Sequence, residues 1–113
     1  MVRNQLTPTQ AQARRLPALY ATDGAPVKVA VVRYFFGGRG AFYAVEFGPS
    51  ENPHVGGGVF FGYGVFDSGE QEYCYMSLTD LKTRRAERDL HFSPKPLGDA
   101  CKQYADPLPF DLA

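Results

Sequence analysis

Two histidines and two cysteines, His54, His91, Cys74 and Cys101, are the side chains best suited to hold a soft metal ion. No two of them have the close spacing of a zinc site. His54 sits among glycines and prolines, and His91 alternates with apolar residues in a strand-like run, which suits a packed ring better than a ligand. Neither a metal nor a cofactor is expected. The carboxylates Glu46, Asp67, Glu70, Glu72 and Asp89 could pair across strands for acid–base work. No nucleophile or oxyanion device accompanies them, so the chain reads as no enzyme. Glu46 lies between apolar neighbours, and a buried carboxylate there needs a basic partner such as Arg33 or Arg88. Gly37-Gly38-Arg39-Gly40 and Gly56-Gly57-Gly58 lack the Lys-Ser/Thr ending and following helix of a phosphate loop, and read as turns.

One run points to recognition rather than catalysis. Residues 39–47, Arg-Gly-Ala-Phe-Tyr-Ala-Val-Glu-Phe, echo the aromatic strand on which RNA-recognition modules stack bases. The echo is one residue out of register, and a hairpin stands where that fold needs a helix. Rings on such a strand can still serve single-stranded nucleic acid, helped by Lys82, Arg84, Arg85 and Arg88. The competing role for the same rings is core packing.

The elements that must position these groups follow from pattern. Residues 27–47 and 58–78 are rich in aromatic and β-branched types, each broken by a short turn: 37–40, and Asp67-Ser68-Gly69. Each predicts a hairpin. The first strand, 27–36, puts Val27, Val29, Val31, Arg33 and Phe35 on one face and Lys28, Ala30, Val32, Tyr34 and Phe36 on the other. Gly62 and Gly64 inside the third strand predict a bulge or a close backbone approach. Thr7-Pro8-Thr9-Gln10 opens a helix that must stop before Pro17. Ser77-Leu78-Thr79-Asp80 caps a second helix, and Ser93-Pro94-Lys95-Pro96 opens a third over 97–105. Residues 87–92 read as a fifth strand, with Leu90 and Phe92 both turned toward the helices. Residues 1–6 read as a loose terminus and 106–113 as an extended tail, free or docked. The whole is one α+β domain: a four- to five-stranded, mainly antiparallel meander with three short helices on one face.

With 113 residues, the chain is long enough to fold around one core without disulfide or metal. Its two cysteines read as reduced, buried thiols of a cytoplasmic protein. No long apolar stretch or leader predicts a membrane partner. Net charge is zero but uneven: residues 1–40 hold six basic side chains against one acidic, and 41–80 hold six acidic and no basic ones. That split can neutralise itself in the fold or leave a dipolar surface.

Taken in order, Leu19-Tyr20-Ala21-Thr22-Asp23, Tyr43-Ala44-Val45-Glu46-Phe47, Phe60-Phe61-Gly62, Tyr75-Met76-Ser77-Leu78-Thr79-Asp80-Leu81 and Glu87-Arg88-Asp89-Leu90-His91-Phe92-Ser93-Pro94 form a series. It resembles a family of small bacterial proteins known as a domain of unknown function (numbered two-nine-five-eight). The resemblance spans about residues 16–97. The 48–58 loop is longer and the 81–87 segment shorter than the family's pattern. The resemblance implies a setting, accessory genes of plasmids and integrative mobile elements near antirestriction genes, and brings no catalytic residues with it. The expected function is therefore a non-enzymatic accessory protein, with counter-defence as a candidate task in that setting, binding a protein partner as a monomer or homodimer. Single-stranded nucleic-acid binding is the alternative. The candidate contact residues are Tyr34, Phe36, Arg39, Phe42, Tyr63, Arg84, Arg85 and Arg88.

Overall fold

A computed structural model describes residues 6–37, 40–49 and 57–112. Along the chain run α1 (Gln10–Arg15), β1 (Val29–Ala30), β2 (Val32–Phe36), β3 (Gly40–Gly48), β4 (Val59–Val65), β5 (Gln71–Ser77), α2 (Leu78–Thr83), β6 (Glu87–Arg88), β7 (Lys95–Pro96), α3 (Leu97–Gln103) and a closing 3₁₀ turn (Phe110–Leu112). The two hairpins form, although residues 38–39 at the tip of the first lie outside the described residues. β2 pairs antiparallel with β3 from Val32↔Ala44 to Phe36↔Gly40, and β4 with β5 from Val59↔Ser77 to Val65↔Gln71. Gly69 takes the left-handed φ of 91° that its turn requires. β3 and β4 join the hairpins into a five-stranded antiparallel sheet of order β5-β4-β3-β2-β6, and β1 pairs with β7 in a separate two-stranded ladder. The fold is α+β.

Both faces of the sheet are apolar, so both must be covered. On one face Tyr34, Phe36, Phe42, Phe60 and Met76 pack with Leu81 of α2 and Leu16. On the other Ala41, Tyr43, Tyr63 and Val65 pack with Leu97, Ala100 and Cys101 of α3. Burying each of these Leu or Phe side chains contributes about 1.5–3 kcal/mol. The expectation that all three helices share one face is thereby corrected. α1 buries none of its own residues.

Several boundaries move for local reasons. The first helix is capped by Thr9, not Thr7: Gln12 N–H donates to Thr9 Oγ1 (3.1 Å) and Thr9 N–H to Gln12 Oε1 (2.9 Å). The carbonyls of Leu6 and Thr7 accept from Tyr34 Oη and Arg88 Nη1, which pins this stretch to the sheet instead of the helix. Residue 6 is therefore anchored, and residues 1–5 lie outside the described chain. The long first strand splits at Val31. Ala30 joins the α3 cluster while Val31 and Val32 both join the other, so the simple parity fails there. The fifth strand ends at Arg88. Asp89 Oδ1 accepts from His91 N–H (3.0 Å) in an Asx turn that swings Leu90 outward to 65 % exposure and leaves Phe92 buried.

The close approach expected within β4 is present. A Cβ on Gly62 would lie 2.1 Å from the Tyr43 carbonyl oxygen. The bulge itself falls on the opposite strand, between Ala44 and Glu46. The C-terminal tail docks through tyrosines: Tyr63 Oη donates to the Pro107 carbonyl (2.8 Å), Tyr73 Oη to Asp111 (3.1 Å) and Tyr43 Oη to Asp106. Cys74 is half-buried, Cys101 buried, and both are free. Burial, joined by nearby acidic charge, pushes each thiol up to about 11.

Candidate functional site

The structure does not assemble the expected contact surface. Tyr34, Phe36, Phe42 and Tyr63 are core residues, because their parity faces the helices and the docked tail. Burial raises the Tyr34 and Tyr63 hydroxyls well above their ordinary value, Tyr63 to about 12. Arg84 is brought to Phe36, but as a cation lying over the Phe36 and Phe66 rings (5.4 and 4.8 Å), where it caps the core. Arg85, exposed, ends α2 in a left-handed turn at φ 57°, and Arg88 reaches the N-terminal segment. Arg39 and His54 lie outside the described residues.

Glu46 also has different partners from those expected. Its buried carboxylate pairs with neither Arg33 nor Arg88. It accepts from Tyr20 N–H (2.7 Å), Thr22 N–H (3.0 Å) and the Thr22 hydroxyl. One side chain on β3 thereby holds the turn at residues 18–23 against the sheet, with Tyr20 at a left-handed φ of 70°. Arg33 turns instead to Asp89 (3.2 Å) and stacks on the Tyr104 ring (3.8 Å).

That Arg33–Asp89 pair lies in an open groove of about 900 Å³ walled by Phe35, Leu90, His91 and Tyr104. Its polar groups satisfy one another. Tyr104 Oη donates to Asp89 (2.9 Å), and no buried side-chain polar atom among the described residues lacks a partner. Burial alone would raise the Asp89 carboxyl, but His91 N–H, the Tyr104 hydroxyl and Arg33 outweigh it and hold it below the ordinary value. An acid so committed is ill suited to proton transfer near neutral pH. Among the described residues no group of three His, Cys, Asp or Glu side chains is placed to hold a metal ion, and no helix is long and apolar enough to cross a membrane.

The open feature is an aromatic strip. The register Phe61↔Tyr75 and Tyr63↔Tyr73 sets four rings side by side on the α3 face of the β4–β5 hairpin. α3 and the tail cover Tyr63. Beyond them Phe61 stacks on Tyr73 (5.8 Å, 12°), meets Tyr75 (5.1 Å), and Tyr75 meets Tyr20 (6.4 Å). Tyr75 is 50 % and Tyr20 55 % exposed. Acidic side chains lie close by: Asp111 accepts from the Tyr73 hydroxyl (3.1 Å), and the exposed Asp23 ends the turn that carries Tyr20. Lys28, beside the same turn, is committed to the Thr22 carbonyl (2.9 Å). The strip was half visible in sequence, because Phe61, Tyr73 and Tyr75 share a face across one hairpin. Nothing in the sequence says that α3 stops short of them, or that Glu46 delivers Tyr20.

No family model, no curated protein and no solved structure matches this chain.

Proposed function

We propose that this chain is a binding module whose contact face is the strip Tyr20–Tyr75–Phe61–Tyr73, and that its partner is a protein presenting basic side chains. The observation that carries this is the open strip itself, with Asp111 bonded to Tyr73 at one end and the exposed Asp23 beside Tyr20 at the other. Tyrosine rings offer large contact area at low entropic cost, and partner Arg or Lys side chains gain both ring-face and carboxylate contacts. In this reading the chain does no chemistry of its own. It acts in the cytoplasm as an accessory protein of a mobile element, the setting its family resemblance implies, with counter-defence as the candidate task. A stacked single strand is the weaker reading: residues 41–80, which supply three of the four rings, hold six acidic and no basic side chains, a field that repels phosphate.

The test is affinity capture from host lysate with the natural chain and a Tyr20→Ala/Tyr75→Ala variant, with and without nuclease. A partner retained after nuclease and lost with the rings supports the proposal. It fails if capture ignores the rings, or if a labelled oligonucleotide binds at micromolar strength in about 0.15 M salt and is released by Arg84→Ala and Arg85→Ala.

A further inference from the structure

The outer edge of the sheet asks for a strand. β5 closes the sheet opposite β6, and its seven-residue register with β4 runs without a bulge. Natural edges of this length are usually blunted by Lys, Pro or a bulge. Residues 71–77 contain neither Lys nor Pro, and Glu72 is their only charge.

Among the described residues no strand pairs with the outer side of β5, and the direction of its backbone groups there follows from the hydrogen bonds at both ends. Phe66 N–H donates to the Glu70 carbonyl (2.8 Å) and Leu78 N–H to the Gly58 carbonyl (3.4 Å), so the even-numbered residues of β5 point their backbone groups at β4. Ser77 N–H donates away from β4, to Asp80 Oδ2 (3.0 Å). Gln71, Tyr73 and Tyr75 therefore aim their N–H and C=O groups outward. An open groove of about 430 Å³ lies on the α2 side of the strand, lined by Glu72, Cys74, Tyr75 and Met76 and by Asp80 and Arg84.

We propose that the occupant of this edge is a second copy of the chain. Its β5 would pair antiparallel about a two-fold axis at Cys74, making one ten-stranded sheet. The strand is self-complementary about that residue. Tyr73 falls opposite the partner's Tyr75, both outward-bonding positions; the ladder is centred on residues 72–76, because the Ser77 N–H stays committed to the α2 cap. Glu72 falls opposite the partner's Met76, so no acid opposes an acid. The tyrosine pair lies on the strip's face and covers part of the half-exposed Tyr75 ring. The contact is isologous and closes at two copies, because each edge is consumed. A contact confined to one edge strand belongs with small, transient interfaces, so the association is expected to be reversible.

The inference does not depend on the partner-binding reading. Cys74 lies on the opposite face from the strip, packed against the α2-side cluster.

The test is sedimentation of the natural chain from about 1 to about 300 µM, with amide exchange read at both ends of that range. The expected result is one-chain mass at the low end and two-chain mass at the high end. Tyr73 and Tyr75 amides should exchange at least about tenfold more slowly in the dimer. Cys74→Lys, which sets like charges across the axis, should remain monomeric at the highest concentration while capturing its partner through the strip. Tyr20→Ala should lose capture and keep the dimer. One-chain mass throughout, with fast Tyr73 and Tyr75 amides, overturns the proposal; so does a dimer that forms without slowing those amides. If Cys74→Lys fails to fold, the concentration dependence of the natural chain's amides still decides.

Discussion

Glu46→Gln tests the link between the core and the exposed strip. In the native site Oε1 accepts from Tyr20 N–H at 2.7 Å, and Oε2 accepts from Thr22 N–H at 3.0 Å and from the Thr22 hydroxyl. A glutamine keeps one acceptor. Placed to retain both Thr22 bonds, its amide nitrogen faces Tyr20 N–H, donor against donor. Leaving that part-buried donor unsatisfied costs about 1–3 kcal/mol, and the Thr22 bonds lose the extra strength of a charged acceptor. The sum is about 2–4 kcal/mol, a large part of the roughly 5–15 kcal/mol that holds a domain of this size. The damage should also be local. Tyr20 sits at φ 70°, a conformation costly for a non-glycine residue, and only over-determined contacts hold it there. Denaturant unfolding should show the loss in midpoint. Amide exchange should show Tyr20 and Thr22 losing protection before the β3–β4 ladder does. Stability within about 0.5 kcal/mol of the natural chain, with Tyr20 still protected, would refute the reasoning.

Two further outcomes follow from packing and charge. Phe92→Ala should cost about 3–5 kcal/mol because its ring is buried against Tyr43 and Tyr104, whereas Leu90→Ala should change stability by less than about 0.5 kcal/mol because its side chain stands in solvent; equal losses in denaturant titrations would mean the Asx turn at Asp89 is misread. Asp89 is held below the ordinary carboxyl value in the folded chain, so the stability it contributes is present above about pH 4 and lost as pH falls through its depressed folded value; Asp89→Asn should flatten the acid limb of a stability–pH profile, and an unchanged limb would sink the assignment.

How far the sequence could be read depended on whether the deciding interaction was local. The hairpin turn at 67–69 and the Ser77–Asp80 capping box are set within a few residues, and both stand where pattern places them. The first helix shows the limit of even that logic. Thr7 and Thr9 each have a Gln three residues on, and the choice falls to Tyr34 and Arg88, distant residues that claim the Leu6 and Thr7 carbonyls. Site residues are decided almost wholly by distant contacts. Tyr34 and Phe42 carry the same chemistry as Tyr75 and Phe61, and alternation assigns them to faces without saying which face a helix will cover. Here α2 closes one face, and α3 with the tail closes only part of the other. The same tyrosines then do two jobs along one strand pair. Tyr63 and Tyr73 give their hydroxyls to the tail, and so fix where the cover ends. Tyr75, next along the edge strand, begins the open surface. The boundary between core and contact face is thus set by the docking of residues 106–112. Loosening that tail should enlarge the aromatic surface without altering the sheet beneath it.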